Sequence, residues 1–152
     1  MSRLLVIDAS NLILGRMASI VAKKLLEGYR IVIVNAEKAV VSGDPKRVIS
    51  SYQLLLGVKT LRNPYKWGVR RPRTPDRIVR SAIRGMLPKN TPKGTRALRN
   101  LKVFIGVPEE YVNKEKITIP EADVSRLKGK YITVGEIAKH MGWRGAYINE
   151  QQ

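Results

Sequence analysis

The spacing of apolar residues changes period twice within the first third of the chain. Leu4 to Ile7 is an unbroken apolar run closed by Asp8, the pattern of a strand covered on both faces. From Leu14 the period becomes helical. Leu14, Met17, Ala18, Val21, Ala22, Leu25 and Leu26 share one stripe, with Arg16, Lys23 and Glu27 opposite and Gly28 as the stop. Ser10 or Asn11 is placed to cap this helix. Ile31 to Val34 is a second apolar run. Strand, helix and strand within about 30 residues predict a βαβ unit with parallel pairing through a right-handed crossover.

Asp44-Pro45 opens another helix, with Asp44 as cap and Val48, Ile49, Tyr52, Leu55 and Leu56 on its apolar side before Gly57. The pattern then dissolves. Lys59 to Thr74 holds Pro64, Gly68 and Pro72, four Arg and two Lys, and few aliphatic residues, so it predicts an extended basic excursion ordered by a partner. Thr74-Pro75 restarts a helix with Val79, Ala82, Ile83 and Met86 turned inward and Arg77, Arg80 and Arg84 on one outward line. Pro88 ends it, and Lys89 to Gly94 reads as a loop. Ala97 and Leu98, flanked by Arg96 and Arg99, suggest one or two helical turns, and Leu101 to Gly106 a further strand. Thr133 and Glu136 have capping-box spacing for a short last helix that finishes near Gly142-Trp143.

With 152 residues and 43% hydrophobic content, the chain can bury one respectable core, whereas two would be cramped. It has no cysteine, which removes disulfides and thiolate metal sites and fits a reducing cytoplasm. The N-terminal apolar run of four residues is too short for a secretory signal, and no stretch approaches the roughly 20 apolar residues of a membrane span. The expectation is a soluble intracellular protein of one domain over residues 1–152. Its core would occupy about 3–107, its basic region about 59–102 and a C-terminal extension about 108–152.

Charge narrows the function. The chain carries 29 bases against 12 acids, so at least 17 bases have no partner within it. Between Arg62 and Lys102 stand thirteen bases and a single acid, Asp76, a local surplus of +12. Such a flank requires an external polyanion. Nine of the thirteen bases are arginines, whose guanidinium forks suit bidentate phosphate contact. Tyr65 and Trp67 interleave with Arg62, Lys66, Arg70, Arg71 and Arg73, offering stacking surfaces for unpaired bases, although Trp67 could equally cover the protein's own core. Arg77, Arg80 and Arg84 extend the candidate surface along a helix, and Lys89, Lys93, Arg96 and Arg99 continue it. No helix-turn-helix, zinc finger or aromatic RNA-binding sheet motif is present, which disfavours sequence-specific DNA reading. An anionic-membrane surface protein would need bulky apolar residues free of the core, and those of the helix from Thr74 are required by the sheet.

Tools for chemistry are scarce. His140 is the one histidine, and no nucleophile elbow surrounds it. Asp8, Glu37 and Asp44 could gather at the carboxyl edge of a parallel sheet, but ending a strand and capping a helix is the simpler reading of Asp8 and Asp44. Between Asp8 and Met17 one glycine, Gly15, stands where a dinucleotide fingerprint needs three, and no GxxxxGK[ST] occurs. No metal, cofactor or catalytic set is expected. The rival reading is a nucleotide-dependent α/β enzyme working near Asp8 and Asn11.

Several segments resemble large-subunit ribosomal protein thirteen. They are Val6-Ile7-Asp8-Ala9, Leu14-Gly15-Arg16-Met17-Ala18, Val34-Asn35-Ala36-Glu37-Lys38, Ser42-Gly43, Arg84-Gly85-Met86-Leu87-Pro88-Lys89 and Leu101-Lys102-Val103-Phe104-Ile105-Gly106. The likeness runs in consistent order from about Leu4 to Gly106. The tail, with Ile119-Pro120-Glu121-Ala122 and His140-Met141-Gly142-Trp143, looks like the archaeal and eukaryotic branch. Bacterial members usually carry a histidine-rich segment after the last strand. Val107-Pro108-Glu109-Glu110-Tyr111 stands here instead, so bacterial contacts there do not carry over. The resemblance implies a three-layer α/β/α single domain around a small, mainly parallel sheet, with extended basic loops and a C-terminal helical tail. It further implies binding to large-subunit ribosomal RNA beside neighbouring large-subunit proteins in the cytoplasm, a part in subunit assembly, and no enzymatic activity, cofactor, membrane or small-molecule substrate.

Overall fold

In the computed structural model, residues 3–68 and 70–145 are described, apart from the Leu55 side chain, so its expected place on an apolar helix side lies outside that description. Three parallel strands form the central sheet in the order β1–β2–β4: β1 (Leu4–Asp8), β2 (Arg30–Val34) and β4 (Leu101–Val103). Val6 stands opposite Val32, and Val32 opposite Lys102. The apolar runs are unbroken because both faces are covered. Ile7, Ile31, Ile33 and Leu101 enter the main core on one side, while Val6, Val32 and Val34 enter a smaller cluster on the other.

Helix α1 (Leu14–Leu26) makes the crossover between β1 and β2, and Gly28 follows it at φ 99, a left-handed turn that glycine adopts without strain. The expected side-chain cap is not used. Ile13 precedes the helix, while the Ser10 N–H donates to Asp8 Oδ1 at 3.0 Å and Asn11 is left-handed at φ 60. The reason is tertiary. The Asn11 N–H donates to the Lys38 carbonyl and the Asn11 carbonyl accepts from the Val124 N–H, so the linker is tied to two other segments rather than to the helix.

Helix α2 (Pro45–Leu54) follows β3 (Val40–Ser42). Val48, Ile49 and Tyr52, with Leu56 beyond the helix, pack on the margin of the core, but no residue of α2 is fully buried. Before α2, the Asp44 carbonyl accepts from the Val48 N–H at 3.0 Å. Strand β3 pairs antiparallel with β5 (Tyr131–Thr133), a second small sheet that nothing in the local pattern announces. Strand β5 leads directly into α7 (Val134–His140), and Thr133 Oγ1 accepts from the Glu136 N–H at 3.3 Å, as the capping spacing predicts.

The three layers are unequal. On the thick side α1, α4 (Pro75–Met86), α5 (Pro92–Arg99) and α7 enclose the main core, to which Ile132, Val134, Ile137, Ala138, Met141 and Trp143 of the C-terminal stretch belong. On the thin side the one-turn helix α6 (Glu109–Val112) lays Tyr111 over the sheet, its ring 5.8 Å from that of Phe104.

Candidate nucleic-acid interface

Helix α4 is anchored by the buried Pro75, Ile78, Val79 and Ile83 against α1, α7 and β4. This anchoring turns Arg77 and Arg84 to solvent. Arg80 departs from the expected line. It is half-buried, and its Nη1 donates to the Leu101 carbonyl at 3.0 Å, so it stitches α4 to the edge of the sheet. Met86, expected inward, is 46% exposed, because the helix ends there and the next residue, Leu87, turns extended and buries its side chain instead.

The expected Lys89–Gly94 loop is shorter than the sequence reading allowed. Thr91 caps α5 by accepting from the Gly94 N–H at 3.2 Å, and Pro92 takes the first turn. Gly94 is required here, since a Cβ would collide with the Pro88 carbonyl oxygen. Buried Ala97 fixes α5 to the core, leaving Lys93, Arg96 and Arg99 exposed, with Lys89 exposed in the preceding turn. The Arg96 Nε–H donates to the Pro92 carbonyl within its own helix.

The excursion after α2 contains one regular turn, α3 (Pro64–Trp67). Tyr65 is 93% exposed and Trp67 58%, and Trp67 belongs to neither apolar cluster. That settles the open question of whether Trp67 covers the core: it does not. The Lys66 ammonium lies 5.3 Å from the centre of the Trp67 ring. Arg62, Arg70, Arg71 and Arg73 are exposed, and no described side chain from Val58 to Arg73 is buried. The sequence-derived basic residues thus fall into two groups: those on α4 and α5, held by helices rooted in the core, and those of the excursion, held by little.

Among the described residues, none of the thirteen bases between Arg62 and Lys102 has a carboxylate within ion-pair distance. Among the described residues the ion pair formed is Lys24–Glu27, at 3.5 Å. The described acids leave this local surplus uncompensated, and the whole chain has too few acids to balance its bases.

The carboxyl edge of the sheet is differently built. Asp8 Oδ1 accepts from the Ser10 N–H and from Asn35 Nδ2 at 3.1 Å, while Glu37 Oε2 accepts from the Gly106 N–H at 3.0 Å. Asn35 is left-handed at φ 57 and nearly fully buried, and its own N–H donates to the Gly106 carbonyl. Burial by itself would raise the Asp8 pKa, but the hydrogen bonds from Ser10 and Asn35 and the nearby Lys38 charge outweigh it and hold the carboxyl below its ordinary value. Of the three carboxylates considered for this edge, Asp8 and Glu37 are bonded to segments that follow the chain's own strands, while Asp44 lies before α2. His140 is exposed at the end of α7, where its carbonyl accepts from Gln53. Among the described residues no three His, Cys, Asp or Glu side chains cluster as metal ligands, and no helix is long and apolar enough to cross a membrane.

A parallel α/β scaffold whose sheet-edge acids serve its own backbone, and whose flank carries a cationic surplus its acids do not neutralise, defines a polyanion-binding protein. The model of the family described as ribosomal protein L13 matches residues 2–110, and the chain belongs to that family, which is a ribosomal-protein family and not an enzymatic one. The chain is 55% identical over 143 residues to the large ribosomal subunit protein uL13 of Saccharolobus solfataricus, covering 94% of this chain and 95% of that one. To the protein of the same name from Aeropyrum pernix it is 51% identical over 145 residues, covering 95% and 93%. To that from Methanocaldococcus jannaschii it is 45% identical over 138 residues, covering 90% and 96%. These relatives are archaeal, in keeping with the tail motifs, and coverage of this extent carries the likeness well beyond residue 110.

Proposed function

We propose that this protein is a structural constituent of the large ribosomal subunit, residing in the cytoplasm, that binds large-subunit ribosomal RNA and supports subunit assembly beside neighbouring ribosomal proteins. The observation that carries the reading is the set of thirteen bases between Arg62 and Lys102 with no carboxylate partner among the described residues, on a chain of this family. The contacts fall in two sets. Arg77, Arg80 and Arg84 of α4, with Lys89, Lys93, Arg96 and Arg99 around α5, form a rigid cationic surface that fits phosphates at fixed spacing. Arg62, Lys66, Arg70, Arg71 and Arg73, with Trp67 as a stacking surface, form an arm that follows irregular RNA. Most contacts go to phosphate and sugar, fixing RNA shape rather than reading bases.

The test is the salt dependence of binding to large-subunit RNA. If about eight phosphates are neutralised, the double-logarithmic slope is about −5 to −6 for single-stranded contacts and about −7 for duplex contacts. A slope near zero would falsify the electrostatic mechanism. Sucrose-gradient sedimentation of lysate should place the protein in the large-subunit peak, and its absence there would remove the ribosomal assignment.

A further inference from the structure

Asp76 is the single carboxylate among fourteen charged residues between Arg62 and Lys102. It faces a groove between α4 and β4. Two adjoining clefts of about 510 and 390 Å³ share Asp76, Arg77, Val103 and Phe104, so they form one trough. The first adds Thr74, and the second adds Arg80 and Lys102. The floor is a sheet edge, because β4 pairs with β2 alone. Alternation along a parallel strand turns the peptide groups of Leu101 and Val103 away from β2. The Leu101 carbonyl is taken by Arg80, and Val103 lines both clefts.

Two oxygens here are sealed from solvent without any hydrogen-bond partner, Asp76 Oδ1 and Thr74 Oγ1. Asp76 as a residue is part-exposed and lines both clefts, and no described residue donates a hydrogen bond to its Oδ2. An unpartnered carboxylate inside a cationic field opposes phosphate binding. It serves a ligand only if that ligand brings a hydrogen-bond donor along with its negative charges. A ribose–phosphate chain does so, with a 2′-hydroxyl placed between successive phosphates.

Resting on the RNA-binding reading above, we propose that this trough holds one ribose–phosphate stretch of RNA. Asp76 accepts a hydrogen bond from a 2′-hydroxyl, and Arg77 and Lys102 contact the flanking phosphates. At this place the protein distinguishes RNA from a backbone that lacks the hydroxyl. An acid in the first turn also suits the start of α4, but that role is indifferent to the sugar.

The experiment compares the full chain with its D76A variant on an RNase-protected fragment of large-subunit RNA. The same fragment is also made with 2′-fluoro sugars, which keep the RNA-type pucker and cannot donate. D76A should weaken binding to the natural fragment about tenfold, the loss typical of a charge-assisted hydrogen bond. It should leave 2′-fluoro binding unchanged or slightly tighter, since a negative charge has gone. Tighter binding of both fragments by D76A would overturn the proposal, for Asp76 would then only repel phosphate or serve another partner. Equal weakening on both, with a lowered unfolding temperature, would also overturn it and make Asp76 structural. If the unaltered chain bound neither fragment, the broader RNA-binding reading would fall and this one with it.

Discussion

Two stretches leave the parallel sheet, and they are physically opposite. Residues 58–73 contribute no described buried side chain and present Leu61, Tyr65 and Trp67 to solvent among basic residues. The C-terminal stretch 103–145 has seven bases and six acids, close to neutral, and buries Tyr111, Ile119, Ala122, Ile132, Val134, Ile137, Ala138, Met141 and Trp143. The tail is held by apolar burial within the chain. The excursion lacks that apolar burial, and on the proposed reading a partner would supply charge and stacking in its place. One molecule thus contains a self-sufficient fold and a part built for company.

The two tryptophans offer the strongest way to break this contrast. Trp143 is 7% exposed within the main core, so W143A should cost about 3–5 kcal/mol and lower the unfolding temperature by about 6–20 °C. W67A should leave thermal unfolding within about 1 °C of the parent and instead weaken RNA binding by about 1–3 kcal/mol if a base stacks there. Equal thermal damage from both would erase the distinction.

A finer division runs within α4. Exchanging Arg77 and Arg84 for alanine together should make the salt slope shallower by about 1.4–1.8, with thermal unfolding nearly unchanged, because neither side chain is buried or ion-paired to a described residue. R80A should weaken RNA binding as well, but it also removes the donor to the Leu101 carbonyl and so costs about 1 kcal/mol of stability, a fall of about 2–4 °C. Calorimetry of the two variants separates these outcomes.

The smallest effect lies at the sheet edge. The Asp8 carboxyl is held below its ordinary value in the fold, so its hydrogen bonds stabilise the protein above the usual aspartate range and are lost as pH falls through it, below about 4. D8N should flatten the acid limb of the stability–pH curve. An unchanged limb would mean that Asp8 titrates alike in folded and unfolded chains.

Features with a local signature were legible from the residues alone. The unbroken apolar runs at Leu4–Ile7 and Ile31–Val34, the helical stripe from Leu14, the Thr133–Glu136 cap and the arginine-bearing helix from Pro75 all stand where the pattern puts them. Strands β3 and β5 were not legible. Each has three residues, too few to show alternation, and they pair across about 90 positions. The start of α5 was legible and missed, since Thr91-Pro92 is a cap followed by a first-turn proline. The double duty of Arg80 was hidden, because helical spacing gives the face a side chain occupies but not the carbonyl waiting at its far end.

An arm that buries nothing is a weakness in a solitary chain. Arg62, Lys66, Arg70 and Arg73 are exposed candidate cleavage points for trypsin-like proteases, whereas Pro72 shields the bond after Arg71. Leu61 and Tyr65 are exposed hydrophobic contacts for other unassembled chains. If RNA engages this arm as proposed, both hazards are removed at once. On the proposed reading, an unassembled chain would stay exposed to both hazards until it found its RNA, and protection of this arm from protease on RNA addition is the observable consequence.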